Sequence, residues 1–323
     1  MTRFGYTLMT EQAGPRELVR HAPAAEVAGF DFEVVSDHFS PWLDEQGHAP
    51  NAWSVLGAVT QVTDAVELMT YVTCPTTRYH PAVVAQQAAT TQLLSGNRFI
   101  LGVGAGENLN EHVVGRGWPP VNVRHESLVE ALDIISALFD GGYVNYAGQH
   151  FRVDSAKLWD LPDVRVPIAA AVSGDQSIGR LAPLADHMVA VEPDPGLCQA
   201  WDGVARAESR KIGQIPICWD RDRDAAVARA HEQFRWFGGG WKVNAELPGT
   251  AAFAGATQFV RPEDVAASIP CGADVDAVVK AVAPFWEAGF TDIALLQIGG
   301  DHQDEFLAVA QSELLPALRE AAP

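Results

Sequence analysis

Short apolar runs alternate with longer amphipathic stretches along most of the chain. The runs are typical of buried parallel strands, and the stretches between them repeat apolar residues at helical spacing. Strands are predicted near residues 4–8, 32–36, 66–73, 99–103, 168–172, 188–191, 215–219 and 293–298. Helices are predicted over residues 15–28, 51–62, 81–94, 125–139, 175–185, 223–236, 274–288 and 302–318.

This alternation favours a (β/α)8 TIM barrel over a doubly wound sheet, because eight strand–helix units fit in one chain of 323 residues. We therefore expect a single domain over residues 1–323. Two stretches interrupt the pattern: residues 143–159 are predicted to form an inserted hairpin, and residues 237–260 are rich in Gly and Ala without a clear period. The second stretch is either an aromatic lid over a pocket or a dimer or surface contact; its aromatic residues are Trp236, Trp241, Phe253 and Phe259.

Composition excludes several classes of partner. With 41 acidic and 22 basic residues the formal net charge is -19, so nucleic acid and anionic membranes are poor partners. No apolar run approaches the roughly 20 residues of a membrane span, and we expect a cytoplasmic protein. Metal sites and a disulfide framework are not expected, because no C-x-x-C spacing relates the four cysteines, Cys74, Cys198, Cys218 and Cys271.

The stretch S-D-H-F-S-P-W follows the second predicted strand. It places Asp37 and His38 at a strand end, where α/β folds build their sites, with Trp42 close behind. This favours a catalytic site. A helix-capping Asp beside a loop His is the alternative that the dipeptide leaves open.

A Gly-rich turn, G-V-G-A-G-E-N-L-N, follows the fourth predicted strand. Gly104 and Gly106 allow the backbone to approach a ligand, and Glu107 and Asn110 add an acid and an amide. The spacing comes close to a dinucleotide-binding fingerprint, but no helix-forming run starts at the third glycine. A structural salt bridge between Glu107 and Arg98 is the alternative to a role in catalysis.

Several segments resemble the coenzyme F420-dependent branch of the bacterial luciferase-like superfamily, most closely its glucose-6-phosphate dehydrogenases. They are E-Q-x-x-P-R-E-L from Glu11, the S-D-H-F-S-P-W stretch with G-H-A-P, T-R-Y-H-P-A-V-V-A-Q from Thr77, N-R-F-I-L-G-V-G-A-G-E-N-L-N-E from Asn97, and Q-S-E-L-L-P-A-L-R from Gln311. The similarity runs nearly end to end. It is dense through about residue 112 and thin between about residues 190 and 270.

The resemblance implies F420 as cofactor, a small-molecule substrate and a homodimer. It implies that His38 accepts the substrate hydroxyl proton, that Trp42 helps to hold developing charge, and that Glu107 is a second acid or base. A neutral imidazole with a pKa near ~6.5 suits the role assigned to His38. Glu11 matches an acid that lines the pocket of these enzymes.

Cofactor-binding residues are likewise implied by the resemblance. Asp37 is expected at the deazaflavin ring, together with a cis peptide bond between Tyr71 and Val72. Gly104 and Gly106 are further implied contacts, and the contacts implied for the cofactor tail are Cys74, Asn110 and the turn Ala171, Val172, Ser173 and Gly174. Backbone N–H groups of that turn precede a predicted helix and could meet a phosphate.

The chain departs from the resemblance where those enzymes hold a sugar phosphate. Asp194 aligns with a phosphate-binding lysine, Glu192 lies beside it, and residues 262–268 contain no second lysine. Two acids would repel a phosphate dianion, so a non-phosphorylated alcohol or sugar is the expected substrate. The alternatives are an F420H2-dependent reductase, an FMN-dependent monooxygenase, and a non-catalytic flavin-binding relative.

Overall fold

The structure is a computed structural model that describes residues 2–323. Eight parallel strands close into a barrel in the order β1-β10-β9-β8-β7-β4-β3-β2, so the predicted (β/α)8 fold is confirmed. The barrel strands are Arg3–Leu8 (β1), Phe32–Val35 (β2), Glu67–Thr70 (β3), Phe99–Val103 (β4), Ile168–Ala171 (β7), His187–Val189 (β8), Lys211–Ile217 (β9) and Asp292–Gln297 (β10). Residues Val144–Ala147 (β5) and Arg152–Ala156 (β6) pair antiparallel as a separate hairpin within the predicted insertion.

Helices surround the barrel and occupy most of the predicted positions. The longer helices are Pro15–Ala28, Ala52–Val59, Pro81–Leu94, Val121–Phe139, Arg223–Phe234 and Val275–Ala288. The shorter ones are Asn108–Glu111, Asp175–Leu181, Pro195–Asp202, Trp241–Asn244, Thr250–Ala256, Pro262–Ser268, Gln303–Val309 and Leu315–Ala321, and a π-helical turn, Ala310–Leu314, joins the last two. Within residues 2–323, no helix is both long and apolar enough to cross a bilayer.

The pattern failed to predict the helix Pro195–Asp202. Its start depends on Asp194, whose side chain accepts hydrogen bonds from the N–H groups of Gly196 and Leu197. Only eight residues long, this helix repeats its apolar positions too few times to produce a clear periodic signal. The Gly- and Ala-rich stretch after Phe234 likewise contains short helices that have too few turns for periodicity to show.

Side chains of alternate strand residues fill the barrel interior. The interior cluster comprises Phe32, Val34, Met69, Ile100, Ala169, Val189, Ile212 and Ala294.

Glu33 lies between Phe32 and Val34 and therefore points outward, under the helical layer. Its side chain is fully buried, and neither carboxylate oxygen has a hydrogen-bond partner in the described part of the chain. Burial, reinforced by the charge of Glu26, raises the pKa of Glu33 well above its ordinary value.

Glu33→Met is expected to stabilise the protein. Methionine has a similar length and removes a buried polar group without partners, whose burial costs about 1–3 kcal/mol. A raised folded pKa means that stability falls as pH rises above the unfolded value near 4.3. The gain in unfolding free energy should therefore be larger at pH 7 than at pH 5, as measured by urea denaturation.

Glu33→Gln provides the matched control. It keeps the buried polar group but removes the ionisation. The unfolding free energy of Glu33→Gln should therefore lack the decrease with rising pH that wild type shows, but should still include the cost of burying a polar group. Equal unfolding free energies for wild type and Glu33→Met at pH 7 would show that the carboxyl finds a partner in solution.

Candidate active site

Three acidic or basic side chains meet at the carboxyl-terminal end of the barrel. Glu11 follows β1, His38 follows β2 and Glu107 follows β4. His38 Nδ1 lies 2.5 Å from Glu11 Oε1, and His38 Nε2 lies 3.4 Å from Glu107 Oε1. The Glu11 side chain is 1% exposed, and those of His38 and Glu107 are 11% and 10% exposed. An imidazole is thus held between two carboxylates in a sheltered position.

The two carboxylates change the acidity of His38. Burial alone would lower its pKa, but the charges of Glu11 and Glu107 and the hydrogen bond to Glu11 outweigh burial and raise the pKa to about 9. The expectation of an ordinary imidazole pKa was therefore wrong. At pH 7 His38 is therefore mostly protonated.

Glu11 is oriented by hydroxyl groups of the first two strand ends. The Ser36 hydroxyl donates to Glu11 Oε2 at 2.6 Å, and the Thr10 hydroxyl donates to the same oxygen at 3.2 Å. Burial would raise the pKa of Glu11, but His38 and these bonds lower it overall. Glu11 therefore stays ionised and fixes the direction of the imidazole ring.

Glu107 is held by Asn110 rather than by an arginine. The Asn110 amide donates to Glu107 Oε1 at 2.6 Å, and its oxygen accepts from the N–H groups of Phe39 and Ser40 at 2.7 and 2.8 Å. Asn110 thus connects the Gly-rich turn to the loop that carries His38. The alternative salt bridge is absent, because Arg98 donates to backbone carbonyls of Val66 and Thr63.

Asp37 points away from His38 into its own hydrogen-bond network. Arg78 donates to Asp37 Oδ1 at 3.0 Å, the Tyr79 hydroxyl reaches the same oxygen at 3.2 Å, and Thr73 donates to Oδ2 at 2.7 Å. Arg78 is not among the site residues predicted from the sequence. Its signal was present, since Arg78 lies in the resembling T-R-Y-H-P segment after the third strand.

Aromatic side chains form one wall beside His38. Trp42 meets the His38 ring edge-on, with centroids 5.1 Å apart, and stacks on Trp236 at 4.2 Å. Phe253 packs against Trp42 at 5.1 Å. Trp236 and Phe253 thus pack on Trp42 beside the site, whereas Trp241 and Phe259 of the same stretch are exposed. A lid role for this stretch stays a prediction.

Most residues predicted to bind the cofactor ring lie together. Tyr71 and Val72 are partly buried and cover the interior cluster at the same end of the barrel as His38. Ala171, from the turn predicted to meet the cofactor tail, packs on the same cluster. The Tyr71–Val72 bond is cis, as the resemblance implied. A Cβ atom on Gly104 would lie 2.7 Å from Val72 Cγ2, so this position requires glycine.

The predicted contacts to the cofactor tail lie at the edge of this group. Gly106 has a φ of +75°, and a Cβ atom there would lie 2.7 Å from the Cys74 sulfur. Val172 and Ser173 lead to Gly174, which begins the helix Asp175–Leu181 without a side-chain cap. The Asn110 amide already has partners on both of its atoms, so its contact with a cofactor stays a prediction.

The residues that align with phosphate ligands lie on the surface. Glu192 and Asp194 are both exposed, and Asp194 caps the helix Pro195–Asp202. Both residues follow β8. A role of their negative charge beside the substrate pocket stays a prediction.

Comparisons with known proteins agree on the fold and find F420-dependent dehydrogenases among the relatives. Residues 1–292 match the family described as luciferase-like monooxygenase. An F420-dependent glucose-6-phosphate dehydrogenase of Microbacterium testaceum is 32% identical, over 98% of each chain. An F420-dependent hydroxymycolic acid dehydrogenase of Mycobacterium tuberculosis is 33% identical, over 98% of this chain and 88% of that protein. An F420-dependent secondary alcohol dehydrogenase, solved with an F420-acetone adduct, superposes with a TM-score of 0.88 at 28% identity, covering 98% and 99% of the two chains.

Proposed function

The chain belongs to the luciferase-like monooxygenase family, and from this membership we propose that it is an F420-dependent dehydrogenase of non-phosphorylated alcohols or sugars. F420-dependent dehydrogenases of CH–OH groups are its relatives at 32–33% identity. The observation that carries the proposal is the Glu11–His38–Glu107 arrangement. It places a proton acceptor between two carboxylates at the end of the barrel where this fold carries out catalysis.

The residues at this end fit a flat deazaflavin ring. Tyr71, Val72 and Ala171 offer a contiguous, partly exposed apolar surface, and Gly104 keeps the neighbouring backbone close. The Tyr71 hydroxyl is buried without a partner in the described residues, which leaves a polar atom for a ligand. Val172 and Ser173 N–H already donate to Val189 and Ser177, so Gly174 and the first turn of the following helix would hold the phosphate-bearing tail.

Coenzyme F420 would supply the hydride acceptor, and the protein would handle the proton. His38 in its neutral form accepts the proton of the substrate hydroxyl as the carbon–hydrogen bond breaks. Glu11 and Glu107 then stabilise the imidazolium that results, for the same electrostatic reason that they raise its pKa. Trp42 and Trp236 would shelter the site from water.

Cofactor binding tests the proposal before any substrate is known. We expect F420 to quench the tryptophan fluorescence of the purified protein at far lower concentrations than FMN. FMN that copurifies with the protein, without measurable F420 binding, would favour the monooxygenase alternative.

Alcohol oxidation is expected to increase with pH. His38 must be neutral to accept a proton, and its pKa is raised to about 9. kcat/KM for oxidation should therefore increase as pH rises, with an apparent pKa near 9 in the free enzyme, and level off above it. Steady-state rates of F420 reduction from pH 6 to pH 10 measure this dependence.

Glu11→Gln separates the charge of Glu11 from its shape. The amide removes the negative charge closest to His38, so the apparent pKa of the profile should move to lower pH. Glu45→Gln, which changes an exposed carboxylate paired with Arg235, provides the matched control. An unshifted profile in Glu11→Gln would assign the titration to another group.

The same site can catalyse the reverse reaction with reduced F420, in which case cationic His38 donates the proton.

We propose that the dehydrogenase works as a homodimer in the cytoplasm. Four free cysteines suit a reducing compartment. Tyr143 and Trp159, exposed on the inserted hairpin, offer an apolar surface for a second copy.

A further inference from the structure

Two of the free cysteines face each other at the apolar cluster that contains Trp42, Trp236 and Phe253. Cys218 directly follows β9, and Cys271 lies just before the helix Val275–Ala288. They form an isolated parallel bridge, in which Cys218 N–H donates to the Pro270 carbonyl at 2.9 Å and Gly272 N–H donates to the Cys218 carbonyl at 3.0 Å. Side chains of bridged residues project to the same face, so the two thiols are neighbours.

The two thiols differ in exposure and in electrostatic surroundings. Cys218 is fully buried, whereas Cys271 is partly exposed. The neighbouring thiol raises the pKa of Cys218 and lowers that of Cys271. Burial acts to raise the pKa of Cys271, but the charges of Arg223 and Arg229 lower it further. An accessible thiol of lowered pKa beside a buried second thiol is the arrangement found in redox-sensing pairs.

We propose that Cys218 and Cys271 form a reversible disulfide in exchange with low-molecular-weight disulfides. The Cys271 thiolate attacks one sulfur of the small disulfide, forms a mixed disulfide and releases one small thiolate. Cys218 then attacks the Cys271 sulfur and releases the second small thiolate. The two released thiolates take up the two cysteine protons, and the small disulfide gains the two electrons that the cysteines lose.

The disulfide would connect the end of β9 to the segment that follows the helix Pro262–Ser268. Cys218 belongs to the apolar cluster that contains Trp42, Trp236 and Phe253, and residues Val265 and Ile269 of the segment before Cys271 belong to the same cluster. Closing the chain between residues 218 and 271 restricts the unfolded state, so the oxidised protein should unfold at a higher temperature.

Thiol counting on the whole protein tests the proposal. Oxidised glutathione should reduce the number of free thiols, counted after unfolding, from four to two, and dithiothreitol should restore four. Mass spectrometry should find the tryptic peptides 212–221 and 243–280 joined with the loss of two hydrogens. The Tm should rise on oxidation in wild type and stay unchanged in the double variant C218S/C271S. Four thiols remaining after prolonged treatment would overturn the proposal.

Single variants separate the attacking cysteine from the resolving one. C218S should accumulate a mixed glutathione disulfide on Cys271, because the resolving thiol is missing. C271S should leave Cys218 unmodified, because Cys218 is buried. C198S changes a buried cysteine of the helix Pro195–Asp202 and should form the disulfide as wild type does. Equal glutathione labelling of Cys218 and Cys271 in the two single variants would contradict the assigned roles.

Discussion

His38→Ala is expected to lower the turnover of alcohol oxidation by roughly 10²- to 10⁴-fold, the usual contribution of a general base. The substitution removes the proton acceptor and leaves the surface formed by Tyr71, Val72 and Ala171 unchanged. F420 affinity should therefore stay near the wild-type value while kcat and kcat/KM fall together. Steady-state rates and a fluorescence titration measure the two quantities.

His150→Ala is the matched control for this variant. His150 lies at the inserted hairpin, near Glu126 and away from the strand ends, so its loss should leave turnover unchanged. Wild-type turnover in His38→Ala would assign proton transfer elsewhere, with Glu107 as the next candidate. Loss of F420 binding in His38→Ala would point to a structural role.

Uncharged alcohols or free sugars are expected to be oxidised with a kcat/KM roughly 10²- to 10⁴-fold above that for glucose 6-phosphate. Two charge-assisted contacts to the phosphate are missing, and each hydrogen bond to a charged group contributes about 1.5–3 kcal/mol. The exposed carboxylates of Glu192 and Asp194 add repulsion. Competition between the two substrate classes at equal concentration measures the ratio.

The double variant Glu192→Gln/Asp194→Asn tests the cause of that preference. Asparagine also caps helices well, so the helix Pro195–Asp202 should persist. The variant should improve kcat/KM for glucose 6-phosphate and leave that for the uncharged substrate unaltered. A preference of the wild type for glucose 6-phosphate would show that another basic group, such as Lys242, binds the phosphate.

The barrel could be predicted from the sequence because each buried strand is a short apolar run between helices. The short helices could not be predicted from the sequence, because so few turns give no usable periodicity. They are the helix Pro195–Asp202 and those after Phe234. Their stability comes from tertiary contacts, such as the packing of Phe253 on Trp42.

The active-site residues could be predicted individually, but not their mutual effects. The family resemblance supplies Glu11, and a strand-end position indicates that His38 and Glu107 approach one another. It does not give the 2.5 Å contact of His38 with Glu11, and the raised pKa of His38 depends on that contact. Nor does it reveal that Asn110 joins Glu107 to the His38 loop, because that bond depends on the folded path of both loops.

We propose that this chain transfers a hydride from an uncharged alcohol or sugar to F420. The absorbance of oxidised F420, followed after mixing with the enzyme and a panel of unphosphorylated secondary alcohols and sugars, measures this transfer. We expect at least one member of the panel to bleach F420 with wild type, and His38→Ala to slow that bleaching by roughly 10²-fold or more. Unchanged absorbance with every member of the panel, in a protein that binds F420, would contradict it.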